Sequence, residues 1–249
     1  MIGRMLMGAS AAGWLLLVVA DVSPILPRLC SVDGWDLAGH ANAAIIINPL
    51  APIVAVYSGM LAAMIAPLLA RPLREISDRS TAQLRPVAMA CFALAYAVPW
   101  LLAAPLYGLA LIGLETGLQA GSLWKLILPA VLVAIWHMVP ARQWALNICH
   151  RRLTGLAHSR GDVAAFVKDG ARQGAACVLS CAPLMLWAMT QSAAHLPAMA
   201  LVALFLWVER QFPPEPIGWG WINLARTARR LGFFAGHSWR SAQWVKAHG

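Results

Sequence analysis

The sequence predicts an all-α fold: a polytopic membrane helix bundle of about six transmembrane helices, followed by a cytoplasmic interfacial C-terminal tail. Three observations carry this. Of 249 residues, 60% are hydrophobic and 12% are charged, against roughly 25% charged in a soluble domain. Mean hydropathy is +0.66. The apolar residues gather in runs close to the ~20 needed to cross ~30 Å of hydrocarbon. A soluble globule, a disordered chain and a disulfide scaffold are excluded on these grounds.

The runs lie at 5–26, 50–70, 87–112, 122–144, 173–192 and 195–212. The first follows Arg4 and has a short apolar core, as a cleavable signal would. Its continuation past Ala20 to Leu26 favours an uncleaved span. The last two are short and are separated by a tight turn near His195–Pro197, which reads as a helical hairpin. Residues 1–212 thus form the membrane domain. Residues 213–249 form the tail, opened by Pro213, Pro214 and Pro216, which end the last span. The tail mixes Trp219, Trp221, Phe233, Phe234, Trp239 and Trp244 with arginines, a pattern suited to a helix in the headgroup layer or to a docking surface.

The formal charge is +9. In a membrane protein this excess faces the anionic cytoplasmic leaflet, so the partner is the lipid bilayer and not nucleic acid. Of the 19 Lys and Arg, only Arg28 and Lys125 fall on the outer side of the six spans. Arg71, Arg74, Arg79, Arg142, Arg172 and Arg210 are among those read as cytoplasmic loop charges. Both termini are therefore expected in the cytoplasm.

Catalytic signatures are missing from the sequence, with no nucleophile elbow, zincin helix, phosphate loop or dinucleotide fingerprint. What stands out is soft-ligand chemistry. Cys177, Cys181 and Met185 recur at i, i+4 and i+8 on one helical face. Met60 and Met64 repeat the i, i+4 spacing, and His137 sits in an apolar span. Thiolates and thioethers select Cu(I), and thiolates with imidazole suit zinc or copper. Each Met or Cys taken alone is more simply a packing residue. At ~1.5 Å per residue, Met60, Met64, His137, Cys177 and Cys181 lie roughly 7–15 Å from the cytoplasmic helix ends, within one layer. Cys149 and His150 come about 18–20 Å beyond His137 along a continuous helix, so they are expected to form a separate, shallower site. Cys30 alone falls outside, and the five cysteines suggest no disulfide framework.

Several motifs in order carry a family resemblance. They are Ala63-Met64-Ile65-Ala66-Pro67, then Trp136-His137-Met138-Val139-Pro140-Ala141-Arg142 followed by Cys149-His150. Next come Gly170-Ala171-Arg172-Gln173-Gly174 with Cys177, Ser180-Cys181 and Leu184-Met185, and finally Trp207-Val208-Glu209-Arg210. Over about residues 50–212 the chain resembles the bacterial family of predicted metal-binding integral membrane proteins, as a divergent member. Two of that family's cysteines are replaced, by Ala145 and Ser180, its glutamine stands as His137, and its terminal lysine is Arg210. The resemblance implies a multi-pass protein of the bacterial inner membrane.

The expected function is metal binding, with copper first and zinc or no metal as the alternatives, in metal handling or delivery. Cys177 and Cys181 lead the ligand set, followed by Met60, Met64 and His137, with Cys149, His150 and Met185 behind them. Glu209 is expected to support the site or to face the interface. The competing expectation is a non-catalytic accessory or structural subunit that binds partner membrane subunits. A secondary transporter ranks last, because midplane charges and broken-helix repeats are missing from the sequence.

Overall fold

The computed structural model describes residues 2–22, 50–117, 122–150, 153, 163–191, 194–211, 214 and 216–219. The expected outer loop at 27–49, with Cys30, and the aromatic tail beyond Trp219 lie outside these residues. Among the described residues there are seven helices and no strand, as expected for an all-α chain. They are α1 (Ile2–Val22), α2 (Leu50–Arg79), α3 (Arg85–Gly117), α4 (Ser122–Met138), α5 (Pro140–His150), α6 (Val163–Met189) and α7 (His195–Glu209).

Several boundaries differ from the apolar runs. The fourth run was expected to stay one helix to residue 144. It breaks at Val139, between α4 and α5. Pro140 supplies no N–H and crowds the residue before it out of the helical region. α2 runs through Pro67 and Pro72 to Arg79, so Arg71, Arg74 and Arg79 lie on a helix and not in a loop. α6 begins at Val163, before its apolar run. Among the described residues, two helices, Ile2–Ala20 and Arg85–Leu111, are long and apolar enough to cross a membrane; Ile127–Met138 and His195–Glu209 are apolar but shorter.

α6 is the central helix. α3 packs on it most extensively, and α4, α5 and α7 close around it. α1 pairs with α2, which joins the bundle through α3 and α7. The buried face of α6 runs from Phe166 through Gly170, Gly174, Cys177, Cys181 and Met185 to Met189, the i, i+3/i+4 recurrence of one helical stripe. Two glycines on this stripe let α3 approach. A Cβ on Gly170 would strike the backbone carbonyl of Phe92, and one on Gly174 the carbonyl of Tyr96. This is backbone-to-backbone packing over a small-xxx-small pair. It brings Tyr96 against Cys177, one turn further along.

Prolines inside helices free a carbonyl four residues back, and neighbouring helices fill two of these. Pro183 deprives Leu179 of its helical donor, and the Trp136 indole of α4 donates to that carbonyl at 3.1 Å. Pro67 does the same to Ala63, and the Ser10 hydroxyl of α1 donates to it at 2.7 Å. Each bond satisfies a buried acceptor and fixes one helix on another.

Gly174→Val should separate α3 from α6, because the obstacle is backbone and cannot rotate away. Thermal unfolding in mild detergent should show a loss of about 1–3 kcal/mol, the usual cost of overpacking. Gly8→Ala, where a Cβ meets nothing within 4 Å, should leave the midpoint unchanged or slightly higher. Equal behaviour of the two variants would contradict this packing.

Candidate metal centre

Cys177 and Cys181 are both 0% exposed. One turn of α6 separates them, which sets their sulfurs side by side. Cys181 Sγ also donates to the Cys177 backbone carbonyl at 2.9 Å, and Ser180 Oγ donates to the same oxygen at 2.9 Å. Neither bond takes up the sulfur of Cys177.

That sulfur has a charged partner from another helix. Arg210 Nη2 donates to Cys177 Sγ at 3.2 Å. Arg210 is the residue that caps α7, with its own N–H turned back to the Leu206 carbonyl and the next N–H, that of Gln211, to the Val208 carbonyl. Its guanidinium also reaches the thiol of Cys149 on α5. The phenol of Tyr96, buried on α3, faces Cys177 from the other side.

The position of Arg210 rests on its neighbour. Glu209 accepts from Arg142 Nη2 at 2.8 Å with each carboxylate oxygen. Arg142 was read as a cytoplasmic loop charge; it is instead 1% exposed and tied into the bundle. The ion pair joins α5 to α7. A pair removed from water this far tolerates little freedom, since losing either partner strands a buried charge.

A cavity of about 400 Å³ opens in front of these groups. Arg71 and Arg74 of α2, Tyr96, Cys149, His150 and Arg210 are among its lining residues. His150 donates from Nδ1 to the Leu146 carbonyl at 2.8 Å, and the ring also meets the Arg210 backbone. Burial lowers its pKa, and the guanidinia of Arg210 and Arg71 act in the same direction. Burial pushes the Cys149 thiol up to about 12, with Arg210 opposing it in part.

The expected layer of five ligands is only partly assembled. Cys177 and Cys181 stand together. His137 neighbours the Arg142–Glu209 pair. It donates from Nδ1 to the Val133 carbonyl at 2.7 Å and meets the Phe205 ring edge-on at 5.8 Å. Met60, Met64 and Met185 are buried in the shared apolar core. Cys149 and His150 were expected to form a separate, shallower site; α5 continues along α6 beyond the kink at Val139, placing Cys149 beside Gln173, about one turn from Cys177, with the Arg210 guanidinium reaching both thiols. Sequence reasoning missed Arg210, Tyr96 and Arg142 as parts of this centre. The available signals were a Glu-Arg pair ending an apolar run and a tyrosine inside another.

Among the described residues, no three His, Cys, Asp or Glu side chains converge as a ligand group. The two adjacent thiols of Cys177 and Cys181 are soft ligands of the kind that suit Cu(I). A family model described as a copper chaperone, PpoB2, matches residues 54–227, and the chain belongs to that family. The match bears out the expectation of a copper-related function. No curated protein and no solved structure matches the chain.

Glu209→Gln should cost about 3–5 kcal/mol by leaving Arg142 buried without its counter-charge. Glu209→Leu combined with Arg142→Met should recover most of that loss in the same thermal unfolding assay. An unchanged midpoint in the single variant would contradict the ion pair. His150 adds a pH dependence. Its pKa is lower folded than unfolded, so the unfolded chain binds the extra proton. Its stabilising effect is complete above the unfolded value near 6.5 and is lost as pH falls below it. His150→Gln should therefore lose less stability than the parent between pH 7.5 and pH 5.

Proposed function

We propose that this member of the copper chaperone family is a multi-pass protein of the bacterial inner membrane that holds Cu(I) between Cys177 and Cys181 and passes it to a protein partner. The adjacent, fully buried thiols with a guanidinium on one sulfur are the observation that carries the reading. A guanidinium donor pairs best with a thiolate, the form that binds metal. Copper displaces that hydrogen bond on arrival, and Arg210 restores it when copper leaves. The exchange keeps a counter-charge on sulfur at both stages, as a chaperone that must release its cargo requires.

Membrane insertion is supported by an inverted surface. Leu94, Leu101, Leu102, Leu106 and Leu109 of α3, Leu15 and Val18 of α1, Val131 and Ile135 of α4, and Leu201 and Leu204 of α7 are exposed, while Arg142 and Glu209 are buried. An apolar exterior of this extent suits hydrocarbon and not water. The six spans are those expected from the apolar runs, and both termini are placed in the cytoplasm by the distribution of arginines. A non-catalytic subunit of a larger membrane complex is the second reading, favoured by the exposed rings of Trp144 and Trp207. Copper delivery and docking in such a complex are compatible roles.

Copper titration of the full chain in detergent, under reducing conditions, tests the ligand assignment. The parent should bind one Cu(I), and Cys177→Ser with Cys181→Ser should weaken binding at least about a hundredfold, since each lost thiolate removes more than the ~1.4 kcal/mol that corresponds to tenfold. Met60→Leu with Met64→Leu should change it less than about threefold, as expected for packing residues. Full copper content in the double cysteine variant would remove the thiols from the site.

A further inference from the structure

We propose that the cavity in front of Cys177 receives Cu(I) as the anionic complex of a small, carboxylate-bearing thiol. The inference rests on the copper reading above and adds the form in which copper reaches the thiols. Three arginines, Arg71, Arg74 and Arg210, line the cavity of about 400 Å³. A bare cuprous cation is repelled by such a wall, and an anionic copper complex is drawn to it. Glu75 and Asp78 line an adjoining cavity that shares Arg71, Cys149 and His150, and Glu75 is engaged by Arg79 at 3.7 Å.

The lining also holds polar atoms that are only weakly satisfied. Tyr96 Oη, Arg210 Nε and His150 Nε2 are buried and make no well-aligned hydrogen bond, the phenol facing only the Cys177 sulfur, the guanidinium the Cys149 thiol and the imidazole the Arg210 backbone. Tyr96 itself is 2% exposed. Buried polar atoms without good partners are rare in folded proteins, and each calls for an explanation. Here three of them border one cavity, whose volume falls in the range of small-molecule sites. A ligand with carboxylates and amides would satisfy the phenol and the guanidinium. Its sulfur would lie toward Cys149, which lines the cavity, and toward Cys177 just behind Arg210.

The transfer balances as ligand exchange without redox change. A cuprous ion held by two carrier thiolates carries one negative charge. Two carrier Cu–S bonds break, and two bonds form to Cys177 and Cys181. Cys177 enters as the thiolate held by Arg210 and Cys181 as the thiol, so the Cys181 proton passes to one departing carrier sulfur and the other carrier leaves as its thiolate. The copper complex carries one negative charge before and after, and copper stays Cu(I).

The test follows the rate of copper loading of the full chain in mild detergent at low salt. Cu(I)–glutathione is compared with Cu(I) carried by glutathione diethyl ester, whose carboxylates are masked. The parent should load about tenfold faster from glutathione, the lower end of electrostatic steering. In Arg71→Gln, and further in Arg71→Gln with Arg74→Gln, that preference should collapse toward parity. Equal parent rates from both carriers would overturn the proposal, as would variants that keep the full preference. A parent that takes copper from neither carrier would instead overturn the copper reading, and this proposal with it.

Discussion

The ion pair between Arg142 and Glu209 is the constraint on which the centre depends. It joins a short helix that begins at a proline break to the end of α7. Removing two charges from water is costly, and only close, well-oriented pairing offsets it. The pairing is therefore intolerant of slippage along either helix. Because Arg210 follows Glu209 directly, fixing the carboxylate also fixes the guanidinium that reaches Cys177 and Cys149. The same end of the bundle is closed from the other side by Gly170 and Gly174, which let α3 bring Tyr96 against the thiols. Two unrelated devices, a buried charge pair and a glycine-lined crossing, thus converge on one sulfur.

Legibility in the sequence divides along the range of the interactions. The thiol pair could be read directly, because i and i+4 share a helical face whatever the helix packs against. α1 and α3 were legible because charge enters their apolar runs at most near an end, as Asp21 does in the first. α2 and α6 extend past their apolar runs because Arg71, Arg74, Lys168 and Arg172 are good helix formers, and hydropathy reports only where the surroundings change. Arg142 was misread for a related reason. Counting cations near the ends of spans treats each as solvated, and only tertiary structure reveals a partner 67 residues away. The proximity of Cys149 to Cys177 was hidden because it depends on how α5 packs against α6, with Cys149 beside Gln173, which a depth counted along a single helix does not report. Domain limits and the tail rest on the sequence reading alone.

A copper chaperone faces two opposed demands, to hold the ion against loss and to release it to the next site. In the function proposed above, Cys177 and Cys181 answer the first demand and Arg210, which donates to Cys177 Sγ, answers the second by replacing copper on sulfur without new charge entering the bundle. The buried thiols also avoid bulk water, and α6, packed on four neighbours, gives them a rigid base. The metal chemistry and the fold are linked through α6. The stripe that packs the bundle also carries the sulfurs.

The central claim is that copper sits on two sulfurs of one helix. X-ray absorption at the copper edge of the Cu(I)-loaded full chain tests it most directly. The account predicts a cuprous edge and a first shell of two sulfurs with no nitrogen. A shell containing imidazole nitrogen, or one dominated by thioether and oxygen ligands, would contradict it and move the site away from Cys177 and Cys181.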